Sequence, residues 1–127
     1  MSRTVPSPNR SRVFVIEDDG AVRDALIMML GGAGIEAMAF ADGEAFLDEP
    51  MPGDDDLVLL DIDLPGRSGI EVTRTMRRRG CRSPIVVISG LRGDAFRRAV
   101  AEVTPYAAFR KPLDGTALLS ALRTRDL

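Results

Sequence analysis

The 127-residue chain contains no histidine, no tryptophan, one tyrosine and one cysteine. Without histidine it lacks the commonest metal-binding nitrogen and the commonest general base, which excludes histidine-dependent catalytic triads. With Cys81 alone it can form neither an internal disulfide nor a cysteine-ligated zinc site. Long apolar runs are missing as well: no stretch approaches the roughly 18 apolar residues of a membrane span. Residues 1–11 are polar, carry two prolines and have no apolar middle, so they read as a flexible tail rather than a secretory signal, and a cytoplasmic protein is expected.

Net charge is also small. Nineteen acids against seventeen bases leave −2, so no global field favours nucleic acid or an anionic membrane as a partner, and neither is expected. Lysine is nearly absent: sixteen of the seventeen bases are arginine, and the sole lysine, Lys111, asks for a local reason. The length suits one domain, and 45% hydrophobic with 28% charged residues is the mixture of an ordinary globular protein. The expected organisation is a tail over 1–11 and a single domain over 12–127.

Five short apolar runs are punctuated by glycine, proline and acids: Val13 to Ile16, Ile35 to Phe40, Leu57 to Leu60, Ile85 to Ile88 and Tyr106 to Phe109. They lack strict alternation, as strands buried on both faces of a parallel sheet do. Helical spacing lies between them. Val22, Leu26 and Met29 share one face, and Gly31 and Gly32 are expected to end that helix; Ile70, Thr73 and Met76 point one way in another, which Ser68 opens and Gly80 closes. Asp42, Asp94 and Asp114 are expected helix caps. Arg77, Arg78 and Arg79 suit a solvated helix end, where cations complement the dipole. The loop from Pro50 to Asp56, with its three aspartates, reads as solvated surface. Strand then helix, five times over, is an α/β pattern with a mostly parallel sheet between helices.

Ligands of such sheets bind at the carboxyl ends of the strands. There the sequence places Glu17, Asp18 and Asp19 after the first strand, Asp61 and Asp63 at the third, Ser89 and Gly90 at the fourth, and Lys111 and Pro112 at the fifth. Acids from two strand ends repel unless a cation lies between them, and few hard oxygen ligands suit Mg²⁺, with Mn²⁺ as a substitute. Asp61, at the tip of a buried strand, is the best nucleophile. An aspartate can attack phosphorus to give an acyl phosphate if a metal and Lys111 offset the charge, while the Ser89 hydroxyl and the Gly90 N–H donate to the remaining oxygens.

The segments VFVIEDDGAVRDAL, LVLLDIDLPGRSGIEV, PIVVISG and FRKPL together resemble the receiver domain of two-component response regulators, over about residues 12 to 125. The resemblance implies a flavodoxin-like (βα)5 fold, a doubly wound parallel sheet of order 2-1-3-4-5. It implies that Asp61 is the phosphoacceptor, Asp18 a direct Mg²⁺ ligand, Glu17 an acid that reaches the metal through water, and the backbone carbonyl of Asp63 a further ligand. Ser89 is the implied switch hydroxyl and Lys111 the family lysine, with a cis peptide before Pro112. The implied donor is a histidine kinase or histidine phosphotransfer protein, and output passes through contacts with a downstream protein, a phosphorylation-dependent dimer being one form. Such a chain is a phosphoacceptor with slow self-dephosphorylation rather than an enzyme.

The chain departs from the family pattern at four places. Ala108 stands three residues before the lysine, where the family has an aromatic ring; strand alternation makes Tyr106 the nearest substitute on that face. Thr104 and Pro105 occupy a turn where the family prefers glycine and alanine. Asp63 and Leu91 fill positions that resemble the family's tuners of phosphate lifetime. Two other readings compete: a binding module that no longer uses phosphorylation, and a phosphatase of haloacid-dehalogenase type, whose DxD resembles Asp61-Ile62-Asp63. The latter leaves Glu17 and Asp18 unexplained.

Overall fold

Valine, isoleucine and leucine crowd the first, third and fourth runs because these central strands are covered by helices on both faces of one sheet. The computed structural model describes residues 12–64 and 66–123, so the 1–11 tail and the last four residues of the expected domain lie outside it. The order is β1 (Arg12–Ile16), α1 (Gly20–Gly32), β2 (Glu36–Phe40), α2 (Gly43–Leu47), β3 (Leu57–Asp61), α3 (Gly69–Arg78), β4 (Ile85–Ser89), α4 (Gly93–Val103), β5 (Ala107–Arg110) and α5 (Gly115–Arg123). All strand pairs are parallel, in the order β2-β1-β3-β4-β5. Strands β3 and β4 are buried throughout, which is why their sequences carry no polar alternation.

Alternate residues feed two cores. Phe14, Ile16, Val58, Leu60, Ile85 and Val87 meet Phe46, Val72, Met76 and Val103 of α2, α3 and α4 on one face. Val13, Val15, Leu57, Leu59, Val86 and Ile88 meet Leu26, Leu30, Leu118 and Leu122 of α1 and α5 on the other. On the first face Phe14, Phe40 and Phe46 form an aromatic cluster with centroids 5.6–6.4 Å apart.

Several expected helix ends hold. Asp42 caps α2 through the Ala45 N–H, Asp114 accepts from Thr116 and Ala117, and Ser68 forms a reciprocal capping box with Glu71. Gly80, at φ +82°, follows α3, whose last turn contains Arg77 and Arg78. Two ends differ. Helix α1 runs through Gly31 and Gly32, and the left-handed residue after it is Gly34 at φ +79°. Asp94 lies inside the first turn of α4, paired with Arg97, while Arg92 takes the cap position without a side-chain bond. Gly93, at φ +56°, starts that helix one residue before the aspartate.

The 50–56 loop is not solvated throughout. Asp56 is buried, accepting from the backbone N–H groups of Arg12 (3.1 Å) and Gly53 (2.8 Å) and from the Arg12 guanidinium (3.2 Å). Burial pushes its carboxyl up, but those donors outweigh it and hold the group below its ordinary value. The aspartate thereby fastens the start of β1 to the loop that enters β3.

Candidate functional site

Parallel pairing aligns the carboxyl ends of β1, β3, β4 and β5, since Ile16 faces Leu60, Asp61 faces Ile88 and Ser89 faces Arg110. One residue further on, the chain delivers Glu17 and Lys111 to the same edge. The Lys111 N–H donates to the Ser89 carbonyl (2.8 Å), which continues the ladder, and the Lys111–Pro112 peptide is cis. Asp19 turns away to cap α1 through Ala21 and Val22, and Arg23 reaches back to the carbonyl of Glu17 (2.9 Å), bracing the β1–α1 loop.

Asp61 and Glu17 are almost wholly buried and share one cation. Lys111 Nζ lies 3.0 Å from Asp61 Oδ2 and 3.0 Å from Glu17 Oε1. The other Asp61 oxygen accepts from the backbone N–H of Asp63 (2.8 Å), and Glu17 Oε2 accepts from that of Asp19 (3.1 Å). Burial above all, then the neighbouring Asp61, pushes the Glu17 carboxyl up to about 7, against the lowering effect of the Asp19 N–H and Lys111. Burial works against the Lys111 charge, yet Asp61 and then Glu17 hold the ammonium above its ordinary value.

Glu17, Asp18 and Asp61 each offer a carboxylate oxygen, all within 4.8 Å of one another. Glu17 Oε1 is buried and, despite the nearby ammonium, makes no hydrogen bond. An oxygen-only donor set with one buried acceptor unused fits a small hard cation, and Asp18, exposed beside the two buried acids, leaves that cation a route from solvent.

Ser89 is fully buried. Its hydroxyl accepts from the Leu91 N–H (2.9 Å) and points its proton at the Asp63 carboxylate, 3.2 Å from each oxygen. Asp63 Oδ2 also accepts from the Gly90 N–H (2.8 Å). The two donors expected to serve a phosphoryl group are thus both held by Asp63, whose side chain the sequence reading had not placed. Ala108 packs into the core beneath α2 to α4, Phe109 points to the α1/α5 side, and Tyr106 precedes β5 with 46% of its surface exposed.

Gly69 is a positioning residue that sequence reasoning missed. A Cβ there would lie 2.6 Å from Cα of Ile62 and 2.9 Å from the Asp61 carbonyl oxygen, so only glycine lets α3 close over the end of β3. The signal was the glycine that directly follows Ser68, the residue read as the helix start.

The family model described as the response regulator receiver domain matches residues 13–123. The transcriptional regulatory protein FixJ of Azorhizobium caulinodans is 33% identical over 117 residues, which are 91% of this chain and 55% of FixJ. The response regulator StyR superposes with a TM-score of 0.79 at 32% identity, covering 91% of this chain and 58% of StyR. The Vibrio cholerae chemotaxis protein CheY4 superposes with a TM-score of 0.76 at 21% identity, over 90% of this chain and 97% of that one. The chain therefore spans about half the length of FixJ and of StyR, and nearly all of CheY4.

Proposed function

The chain belongs to the family of response regulator receiver domains, and on that premise we propose that it accepts a phosphoryl group on Asp61 and signals through protein contacts. The observation that carries this reading is the Asp61 carboxylate held 3.0 Å from the sole lysine, inside a cluster with Glu17 and Asp18 that fits a divalent cation. Glu17, Asp18 and Asp61, with the backbone carbonyl of Asp63, would hold Mg²⁺, which when bound draws negative charge from the phosphoryl oxygens. Residues 12–127 act as one receiver unit.

The donor is the phosphohistidine of a histidine kinase or phosphotransfer protein. An Asp61 carboxylate oxygen forms the new O–P bond as the P–N bond breaks, and the imidazole leaves with the bonding pair and takes up a proton. Lys111 neutralises charge on the phosphoryl oxygens, and Ser89 and Gly90 donate to those that remain. The chain is consumed as acceptor and restored by slow hydrolysis, so it does not turn over a substrate as a phosphatase does. Asp63, the second aspartate of the DxD, has its carboxylate engaged by Ser89 and Gly90 rather than free to act as a general acid.

Incubation with acetyl phosphate and Mg²⁺, followed by intact-mass and peptide mass spectrometry, tests the assignment. One phosphoryl adduct on the peptide containing Asp61 is expected, absent in Asp61→Asn and absent in excess chelator. An adduct that survives either change overturns the reading.

A further inference from the structure

The Asp63 carboxylate lies on Ser89 and Gly90 in a way that the proposed chemistry does not require. Ser89 Oγ is buried and has one proton to give, which it directs to Asp63. The Gly90 N–H, the next donor in the chain, goes to the same carboxylate at 2.8 Å. A hydroxyl and an adjacent backbone N–H converging on one anion form a small anion cradle. Its present occupant is supplied from within the chain, two residues after Asp61.

We propose that Asp63 is a positioning residue that occupies, as an internal anion, the cradle that a phosphoryl group on Asp61 needs, so that phosphorylation must displace it. This inference rests on the reading of Asp61 as phosphoacceptor. Two physical effects act in the same direction. The buried Ser89 hydroxyl can give its proton to only one acceptor, and an unsatisfied buried hydroxyl is costly, so Asp63 and a phosphoryl oxygen exclude each other at Oγ. Asp63 is also tied to Asp61 through its own backbone N–H (2.8 Å), so charge added to Asp61 repels the Asp63 carboxylate at close range.

The exit route is visible. Asp63 is exposed while Ser89 is buried, so the displaced carboxylate can rehydrate at little cost whereas Ser89 cannot remain without a partner. The internal anion holds the Ser89 to Leu91 segment in one arrangement before phosphorylation, and it lowers the affinity of the site for the phosphoryl group.

The test uses the full chain with Mg²⁺ and beryllofluoride as the phosphoryl probe, titrated by fluorine NMR, with backbone amide shifts recorded in parallel. Asp63→Ala and Asp63→Asn should each bind the probe about tenfold more tightly than the unaltered chain, the gain expected when charge-assisted bonds need not be broken first. Asp63→Ala should show a clearly smaller gain in a Ser89→Ala background, a coupling that a merely structural role would not produce. In the unaltered chain the Gly90 amide should shift strongly on probe binding. Equal or weaker binding by both Asp63 variants, or an equal gain with and without Ser89, overturns the proposal and leaves the phosphoacceptor reading standing. If the unaltered chain takes up no probe at all, the phosphoacceptor reading falls and the proposal falls with it.

Discussion

The buried Glu17 makes the acid pocket measurable without any phosphate. Its carboxyl stands at about 7 in the folded chain against an ordinary 4.5, chiefly because of burial and then because of Asp61. Between those values the folded chain keeps a proton that the unfolded chain has given up, so stability must fall as pH rises. This contribution is fully present below about 4.5 and is lost as pH climbs through about 7. The gap corresponds to about 3 kcal/mol, and because Lys111 and Asp61 adjust with Glu17 we expect a loss of about 2 kcal/mol. That is a sizeable share of the roughly 5–15 kcal/mol of a typical domain. Asp56 does not confuse the measurement: its carboxyl is held below 3.8, so its contribution is present above that value and is lost only as pH falls further. Urea unfolding in the presence of chelator should show the midpoint dropping by about 1 M between about pH 5 and pH 7.5, for a slope of about 2 kcal/mol per molar. Glu17→Gln should abolish the drop, and millimolar Mg²⁺ should reverse most of it by favouring the ionised acids. A midpoint that stays level or rises over this range in chelator, or a drop that persists in Glu17→Gln, would refute the reasoning.

Three further outcomes are expected. Lys111→Arg should fold normally but lose at least about tenfold in the rate of labelling by acetyl phosphate, because a planar guanidinium cannot replace a compact ammonium placed 3.0 Å from both Asp61 and Glu17; unchanged labelling would reduce the lone lysine to an accident of composition. Gly69→Ala should destabilise the chain by about 1–3 kcal/mol in urea and weaken beryllofluoride binding, since the added methyl meets backbone at 2.6 and 2.9 Å. On beryllofluoride binding, amide shifts should either include Tyr106 or stay confined to the loop after Ser89 and the start of α4. Large changes along β5 that persist in Tyr106→Ala would contradict both.

The parts of the fold that were legible in the sequence are those fixed by local chemistry. Leu57 to Leu60 and Ile85 to Ile88 could be read because burial on both faces removes polar alternation, and Asp42, Ser68 and Asp114 because a cap acts within three residues. What escaped depended on distant partners. Asp54, Asp55 and Asp56 look alike in sequence, yet only Asp56 is buried, because Arg12, forty-four positions away, comes to meet it. Asp94 looked like a cap, but the backbone at Gly93 turns one residue earlier. In the candidate site, the convergence of Glu17, Asp18, Asp61, Ser89 and Lys111 followed from strand ends alone. The direction of the Asp63 carboxylate did not, because a side chain after a strand can turn to either neighbouring loop.

The missing ring at Ala108 sharpens the question of how a pull on Ser89 could leave the site. Ser89 pairs with Arg110 across β4 and β5, and the Arg110 guanidinium lies 6.0 Å from the centroid of Phe96, on α4. The seam between β5 and α4 is therefore bridged by a cation–π contact between partly exposed groups, worth about 0.5–1 kcal/mol. Strand β5 has no fully buried residue, unlike β3 and β4, so this edge of the sheet is held less firmly than its centre. On the proposed reading, a contact of that strength can be broken or remade from the α4 side by the charge that phosphorylation adds nearby, with β5 itself almost unmoved. A buried aromatic ring would have to find a new cavity to move into. An arginine at the surface needs only to exchange one ring face for water, so under the proposed reading the contact between Arg110 and Phe96 can respond without the ring that Ala108 lacks.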